Sequence, residues 1–174
     1  NACNARCPQC GMRVTSGSRR STLATDAVKR IIDKAAARGF QAISFTGGEP
    51  FLYIDALVEL IEHAGRAGIP YIRSGTNGYM FAHPERPDFD DRVRALADRL
   101  AATPLRNLWI SIDSADAATH ETMRGFEGVI EGMRRALPEF HERGLWPAAN
   151  LGITRFAGGR PPWSREPGRL ASEC

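Results

Sequence analysis

The alternation of helical and extended segments constrains the fold of this chain more than any other sequence feature. Apolar residues at helical spacing predict helices at about residues 25–38, 54–66, 90–102 and 127–143. Short apolar runs between them predict strands at about residues 40–46, 69–73, 108–112 and 148–154. Strands that alternate strictly with helices of this length are typical of βαβ units and a parallel sheet. We therefore expect an α/β protein with right-handed crossovers.

Polar residues stand at the ends of three predicted strands. Because ligands gather at the carboxyl ends of parallel strands, we expect these residues to converge on one site. They are Gly47, Gly48 and Glu49 after the first strand, Thr76 and Asn77 after the second, and Ser111 and Asp113 on the third.

Each of these groups has a functional and a purely structural interpretation. Gly47 and Gly48 permit close approach of the backbone to a ligand, and Glu49 suits an ammonium group, but a tight turn with a solvated carboxylate fits too. Thr76 and Asn77 form either a ligand-facing loop or an ordinary Asn-Gly turn.

The third strand and the segment after it leave the same choice open. Ser111 and Asp113 lie two residues apart and so share one face of the strand, where a carboxylate suits a ribose diol or an internal hydrogen-bond network. Arg124 either meets a carboxylate or lies at the surface. His120 is expected near the site without acting in it.

Three cysteines near the start have the spacing Cys3-x3-Cys7-x2-Cys10. A [4Fe–4S] cluster normally takes four cysteine ligands, so three would leave one iron open to a group that is not protein. A zinc site needs a fourth Cys or His ligand, and none lies near in the sequence. The fourth cysteine, Cys174, is the last residue, which makes a poor disulfide framework and favours a reducing, intracellular compartment.

Charge and hydropathy exclude two classes of partner. The net charge is +3 with both signs mixed and without a basic run, so there is no nucleic-acid signature. No apolar stretch approaches the roughly 18 residues of a transmembrane helix.

The cysteine triplet, Gly47-Gly48-Glu49-Pro50 and the later strand-end motifs, with His120-x3-Arg124-Gly125, together resemble the radical S-adenosylmethionine (radical SAM) superfamily. The resemblance covers residues 1–154 as a core domain, and residues 155–174 are expected to be an irregular tail. It implies a partial (β/α)6 TIM-like barrel with parallel strands, truncated at both ends. The first strand would lie largely before Cys3, and the last beyond residue 154.

The resemblance also implies the cofactors and their ligands. Cys3, Cys7 and Cys10 would hold three irons of a [4Fe–4S] cluster, and S-adenosyl-L-methionine (SAM) would chelate the fourth. The residues expected to bind SAM are Gly47, Gly48, Glu49, Thr76, Asn77, Ser111, Asp113 and Arg124.

The implied activity is reductive cleavage of SAM to methionine and a 5′-deoxyadenosyl radical, which abstracts hydrogen from an unknown substrate. Peptide modification, cofactor maturation and small-molecule rearrangement are all open. A reductant such as flavodoxin or ferredoxin and a cytoplasmic location are expected. The alternatives are a zinc-binding structural or interaction module and a catalytically inactive fragment. Gln9 stands where the family often has an aromatic residue before the third cysteine.

Overall fold

Four parallel strands form one sheet in chain order in the computed structural model, which describes residues 2–5, 7, 8, 10 and 22–152. The strands are β1 (Ala42–Phe45), β2 (Tyr71–Thr76), β3 (Leu105–Ile112) and β4 (Ala148–Leu151). The α-helices of the described residues are α1 (Thr25–Ala36), α2 (Ile54–Arg66), α3 (Phe89–Ala101), α4 (Ala117–Arg124) and α5 (Val129–Glu142). Two short 3-10 turns cover Pro50–Tyr53 and Tyr79–Phe81.

The predicted alternation of helices and strands is confirmed, with shifts at particular ends. β2 begins at Tyr71 rather than 69, because Gly68 in the left-handed conformation ends α2 and the Ile69 N–H turns back to the Ala64 carbonyl at 3.1 Å. β3 begins three residues earlier than expected, since the polar residues Arg106 and Asn107 continue the strand. The predicted tail at 155–174 lies outside the described residues.

Helix α4 lies between β3 and α5, in a segment where the apolar spacing predicts no helix. The Asp116 carboxylate caps its start by accepting the Thr119 N–H at 2.8 Å. Gly125 ends it in the left-handed conformation, and the Gly125 N–H donates to the Glu121 carbonyl. This helix carries His120 and Arg124 back to the end of β3.

One face of the sheet packs against the helices and forms the core. Ile72, Leu108 and Ile110 point to this face and are at most 5% exposed. They belong to one apolar cluster with residues of α2, α3 and α5. None of the described helices combines the length and apolar character that a membrane crossing needs.

The intervening positions point to the opposite face, which we call the inner face. Register places Ser44 beside Arg73, Gly75 beside Trp109 and Ser111 beside Asn150. Side chains in register on adjacent parallel strands share a face. Of the residues predicted at strand ends, Ser111 lies on the inner face, whereas Thr76 is in register with Ile110 and lies on the core face at the carboxyl end of β2.

We expect Gly132→Ala to lower the free energy of unfolding by about 1–3 kcal/mol, a typical cost of overpacking. A Cβ at Gly132 in α5 would overlap the Phe81 carbonyl oxygen. Helix propensity alone would favour alanine by about 1 kcal/mol. A loss of stability in urea unfolding would therefore come from the overlap with the Phe81 carbonyl oxygen. The neighbouring exposed change Glu131→Ala should stay within about 0.5 kcal/mol of the wild type, and equal effects would contradict this packing.

Candidate active site

A cavity of about 240 Å3 opens at the carboxyl edge of the inner face. Thr46, Gly75, Trp109 and Asn150 contribute to its wall, although the sequence did not single them out. The predicted site residues that line it are Cys3, Cys7, Cys10, Gly48, Glu49, Thr76, Asn77, Ser111, Asp113 and Arg124. Gly47 adopts a left-handed φ of 90° in the turn before Gly48 and is not part of the wall.

The Glu49 carboxylate joins the loops that follow β1 and β2. Its side chain is buried, and Oε1 accepts the Phe51 N–H at 3.0 Å and the Thr76 hydroxyl at 2.9 Å. Oε2 accepts the Asn77 N–H at 2.6 Å. Burial raises the pKa of Glu49, and the bonds from Asn77, Phe51 and Thr76 oppose that increase. A carboxylate has about four lone-pair sites, so one acceptor position remains for a ligand.

The segment that carries Cys3, Cys7 and Cys10, which we call the cysteine segment, is attached to these loops by Asn77. The Nδ2 of Asn77 donates to Asn4 Oδ1 at 2.9 Å and to Cys3 Sγ at 3.7 Å. Its Oδ1 accepts the Tyr79 N–H at 2.9 Å, which fixes the orientation of the amide. The Glu49 N–H also donates to the Ala2 carbonyl at 2.8 Å.

The three cysteines are free thiols and share the cavity. The Cys10 N–H donates to the Cys7 carbonyl at 3.1 Å and closes a turn. Burial raises the pKa of the Cys7 thiol, and the nearby Arg124 guanidinium opposes the increase.

Among the described residues, no three His, Cys, Asp or Glu side chains meet closely enough to hold one metal ion. Three free thiols line one cavity, and soft thiolate donors of this kind are those that iron–sulfur clusters use, with each cysteine on a different iron.

Asp113 and Arg124 form a buried ion pair with two hydrogen bonds at the end of β3. Arg124 Nε donates to Oδ2 at 2.6 Å, and Nη2 donates to Oδ1 at 2.8 Å. The Asp113 side chain is 3% exposed and the Arg124 side chain is 11% exposed. The structure thus gives Arg124 a carboxylate partner within the chain, and both Asp113 oxygens already accept hydrogen bonds.

His120 lies against the end of β3 but does not line the cavity. Its side chain is fully buried, and Nδ1 accepts the Asp113 N–H at 3.1 Å. Burial, and then the charge of Arg124, lower its pKa, so the ring is neutral and carries its proton on Nε2. Nε2 has no partner among the described residues. The motif His120-x3-Arg124 places the two side chains four residues apart, and residues at this spacing on one helix are neighbours.

Trp109 was missed, although it lies two residues before Ser111 and must share its face. Gly75 on the adjacent strand leaves room for its ring, because a Cβ at Gly75 would overlap the indole. Trp109 lies farther from the carboxyl end of β3 than Ser111 does.

Comparison with known proteins gives a consistent assignment. The sequence model of the Radical SAM superfamily matches residues 1–160. The chain is 30% identical to the AdoMet-dependent heme synthase of Nitratidesulfovibrio vulgaris over 88% of its own length and 38% of that protein. It is 33% identical to the GTP 3′,8-cyclase of Tolumonas auensis over 75% of its own length and 35% of that protein. The chain thus spans little more than a third of these relatives.

The fold also has a counterpart among solved structures. The structure of Streptococcus suis SuiB bound to S-adenosylmethionine superimposes with a TM-score of 0.65 at 19% identity, over 88% of this chain and 32% of that one. The predicted α/β architecture, a partial TIM-like barrel with parallel strands, is confirmed by this likeness and by the sheet itself.

Glu49→Gln should lower the free energy of unfolding by about 1–3 kcal/mol, measured by urea denaturation. An amide presents an NH2 group where one carboxylate oxygen accepted a bond, so one buried donor loses its acceptor whichever way the amide turns. Glu62→Gln on the exposed side of α2 is the matched control and should change stability by less than about 0.5 kcal/mol. Unchanged stability in Glu49→Gln would show that the carboxylate does not hold the loops together.

Replacement of His120 by Gln should make the free energy of unfolding fall less steeply as the pH is lowered below about 6.5. The unfolded chain binds a proton at His120 near pH ~6.5, whereas the buried neutral ring, with its lowered pKa, resists it. Its contribution to stability is therefore present above about pH 6.5 and is lost as the pH falls toward the lowered pKa. Unfolding free energies of wild type and His120→Gln, measured from about pH 7.5 to about pH 5, test this on both sides of the ordinary histidine pKa. Identical slopes would contradict the neutral, buried state.

Proposed function

The chain belongs to the radical SAM superfamily, and on that premise we propose that it holds a [4Fe–4S] cluster and SAM in the cavity and cleaves SAM reductively. The observation that carries the proposal is a cavity lined both by three free cysteines and by the polar ends of β1, β2 and β3. Soft thiolate ligands are those that iron–sulfur clusters use.

The cysteine segment would bind the cluster. Cys3, Cys7 and Cys10 would each ligate one iron, which leaves the fourth iron for the amine and carboxylate of the methionyl group. Asn77 would keep this segment in place, because its amide contacts both Asn4 and Cys3.

The loops after β1 and β2 would bind the methionyl amine. Glu49 has one acceptor position left after its three bonds, and a buried carboxylate favours a neighbouring ammonium. Gly48 lines the cavity without a side chain, so a ligand can approach its backbone closely. Gly47 supports this turn, and Thr76 keeps the carboxylate oriented.

The end of β3 would bind the ribose and the methionyl carboxylate. A guanidinium has five N–H donors, of which Arg124 uses two on Asp113, so three remain for a ligand carboxylate. The Ser111 hydroxyl lines the same wall. Asp113 orients Arg124 and would face the ribose.

When bound, the cluster and SAM would supply the reductive bond cleavage and the hydrogen abstraction from a substrate carbon, while the chain binds, orients and shields them. The electron must come from a reductant, for which flavodoxin or ferredoxin is proposed, in a cytoplasmic setting. The substrate class of the whole protein is part of this proposal.

Anaerobic reconstitution with iron and sulfide should give a brown chain that forms 5′-deoxyadenosine from SAM in the presence of dithionite. Cys7→Ala should abolish both the visible absorption and the product, because it removes one of three thiolate ligands. Cys174→Ala, which changes a cysteine outside the triplet, is the matched control and should retain both.

The remaining outcomes separate the alternatives. A colourless chain that binds zinc tightly would support the zinc-binding module instead. A brown chain that yields no 5′-deoxyadenosine would identify a catalytically inactive fragment. Retained cleavage in Cys7→Ala would contradict the ligand assignment.

A further inference from the structure

A positively charged side chain lies on the inner face just below the cavity. Arg73 is on β2, two residues before Gly75, and its side chain is exposed on this face. Its guanidinium carbon lies 5.3 Å from the centre of the Trp109 ring, and Trp109 is part of the cavity wall. Arg73 is thus separated from the cavity by one aromatic ring.

Three adjacent strands hold this guanidinium in place. Arg73 is in register with Ser44 of β1, and Nε donates to the Ser44 hydroxyl. The indole of Trp109 approaches from β3, and the absence of a side chain at Gly75 makes room for it. A cation against an aromatic face is stabilised by roughly 0.5–1 kcal/mol at an exposed site, which favours one orientation of an otherwise flexible side chain.

The charge of Arg73 is not neutralised by the described part of the chain. It forms no ion pair with any described carboxylate, whereas Arg124 of α4, which lines the cavity, is paired with Asp113. With Nε bonded to Ser44, the two Nη groups keep four N–H donors. Such a fork binds carboxylate and phosphate groups through two parallel hydrogen bonds.

We propose that Arg73, oriented by Ser44 and Trp109, binds an oxyanion of the substrate, a carboxylate or a phosphate, on the inner face next to the Trp109 wall of the cavity. This inference rests on the proposed function, because the anion belongs to the molecule from which hydrogen would be taken. Trp109 and the cysteines line the same cavity, so the reacting carbon would be held between an anion bound next to Trp109 and the cofactor. Trp109 would provide the apolar wall for the carbon skeleton.

A purely structural role for Arg73, as a cover for the Trp109 ring, makes a different prediction. In that case the free guanidinium edge would bind no anion, and its replacement would alter stability alone. Binding of small anions at Trp109 therefore decides between the two roles.

The experiment titrates benzoate, phenyl phosphate and uncharged benzamide into the cluster-reconstituted chain and follows tryptophan fluorescence. The two anions should change the signal saturably and benzamide should not, and Trp109→Phe should remove the response. Arg73→Gln should raise the anion Kd at least tenfold, which corresponds to about 1.4 kcal/mol. Ser44→Ala, which frees Nε without removing the charge, should raise it about threefold, or about 0.7 kcal/mol. The tighter of the two anions identifies the head group.

Arg106→Gln removes another exposed arginine, on β3, and is the control for a general charge effect. Equal weakening by Arg106→Gln and Arg73→Gln, equal binding of benzamide, or no response to either anion would overturn the subsite. The assay does not depend on SAM cleavage. A chain that cleaves SAM but binds no anion overturns the subsite alone, whereas one that binds anions through Arg73 but cleaves no SAM overturns the proposed function alone.

Discussion

The hydrogen bonds of the buried Glu49 carboxylate are the interaction on which the candidate site depends. A carboxylate removed from water is costly unless its oxygens are satisfied, and here three donors from two strand ends satisfy them. The loops after β1 and β2 must therefore adopt one mutual arrangement. That arrangement in turn positions Asn77, and through Asn77 and the Ala2 carbonyl it positions the cysteine segment.

The wall at the end of β3 is organised separately. The Asp113 carboxylate accepts two bonds from Arg124 and the Asp113 N–H donates to His120, so helix α4 is fastened to the strand at two points. Breaking such a buried pair by removing one partner costs about 3–5 kcal/mol, because a charge is left without compensation. Glu49 and Asp113 thus organise different parts of the cavity wall through different partners, and a ligand that contacts both parts would bridge them.

The sequence predicted the features that follow from periodicity and from the geometry of parallel sheets. Because parallel strands end at one edge, Gly48, Glu49, Thr76 and Asp113 could be placed together without coordinates. What escaped prediction depends on packing between distant segments. The sequence shows His120 as one of four histidines, and only the fold reveals that its Nδ1 meets the Asp113 N–H. Whether the Glu49 carboxylate faces solvent or three buried donors was equally invisible.

The residues at the carboxyl edge of the inner face and those farther from that edge meet different requirements: the first would bind the cofactor, and the second would recognise the substrate. The carboxyl edge holds the motifs on which the family resemblance rests, and their bonds fix one geometry for a cofactor that all members would share. Arg73 and Trp109 lie deeper, outside those motifs, and neither is needed to form the bonds of Glu49 or Asp113. If the proposed anion subsite is correct, substitutions of Arg73 or Trp109 would change which molecule is recognised while the carboxyl edge stays intact. Within the described residues, a cation without a carboxylate partner lies there next to an aromatic wall, which is the placement that the proposed anion subsite needs on a common catalytic frame.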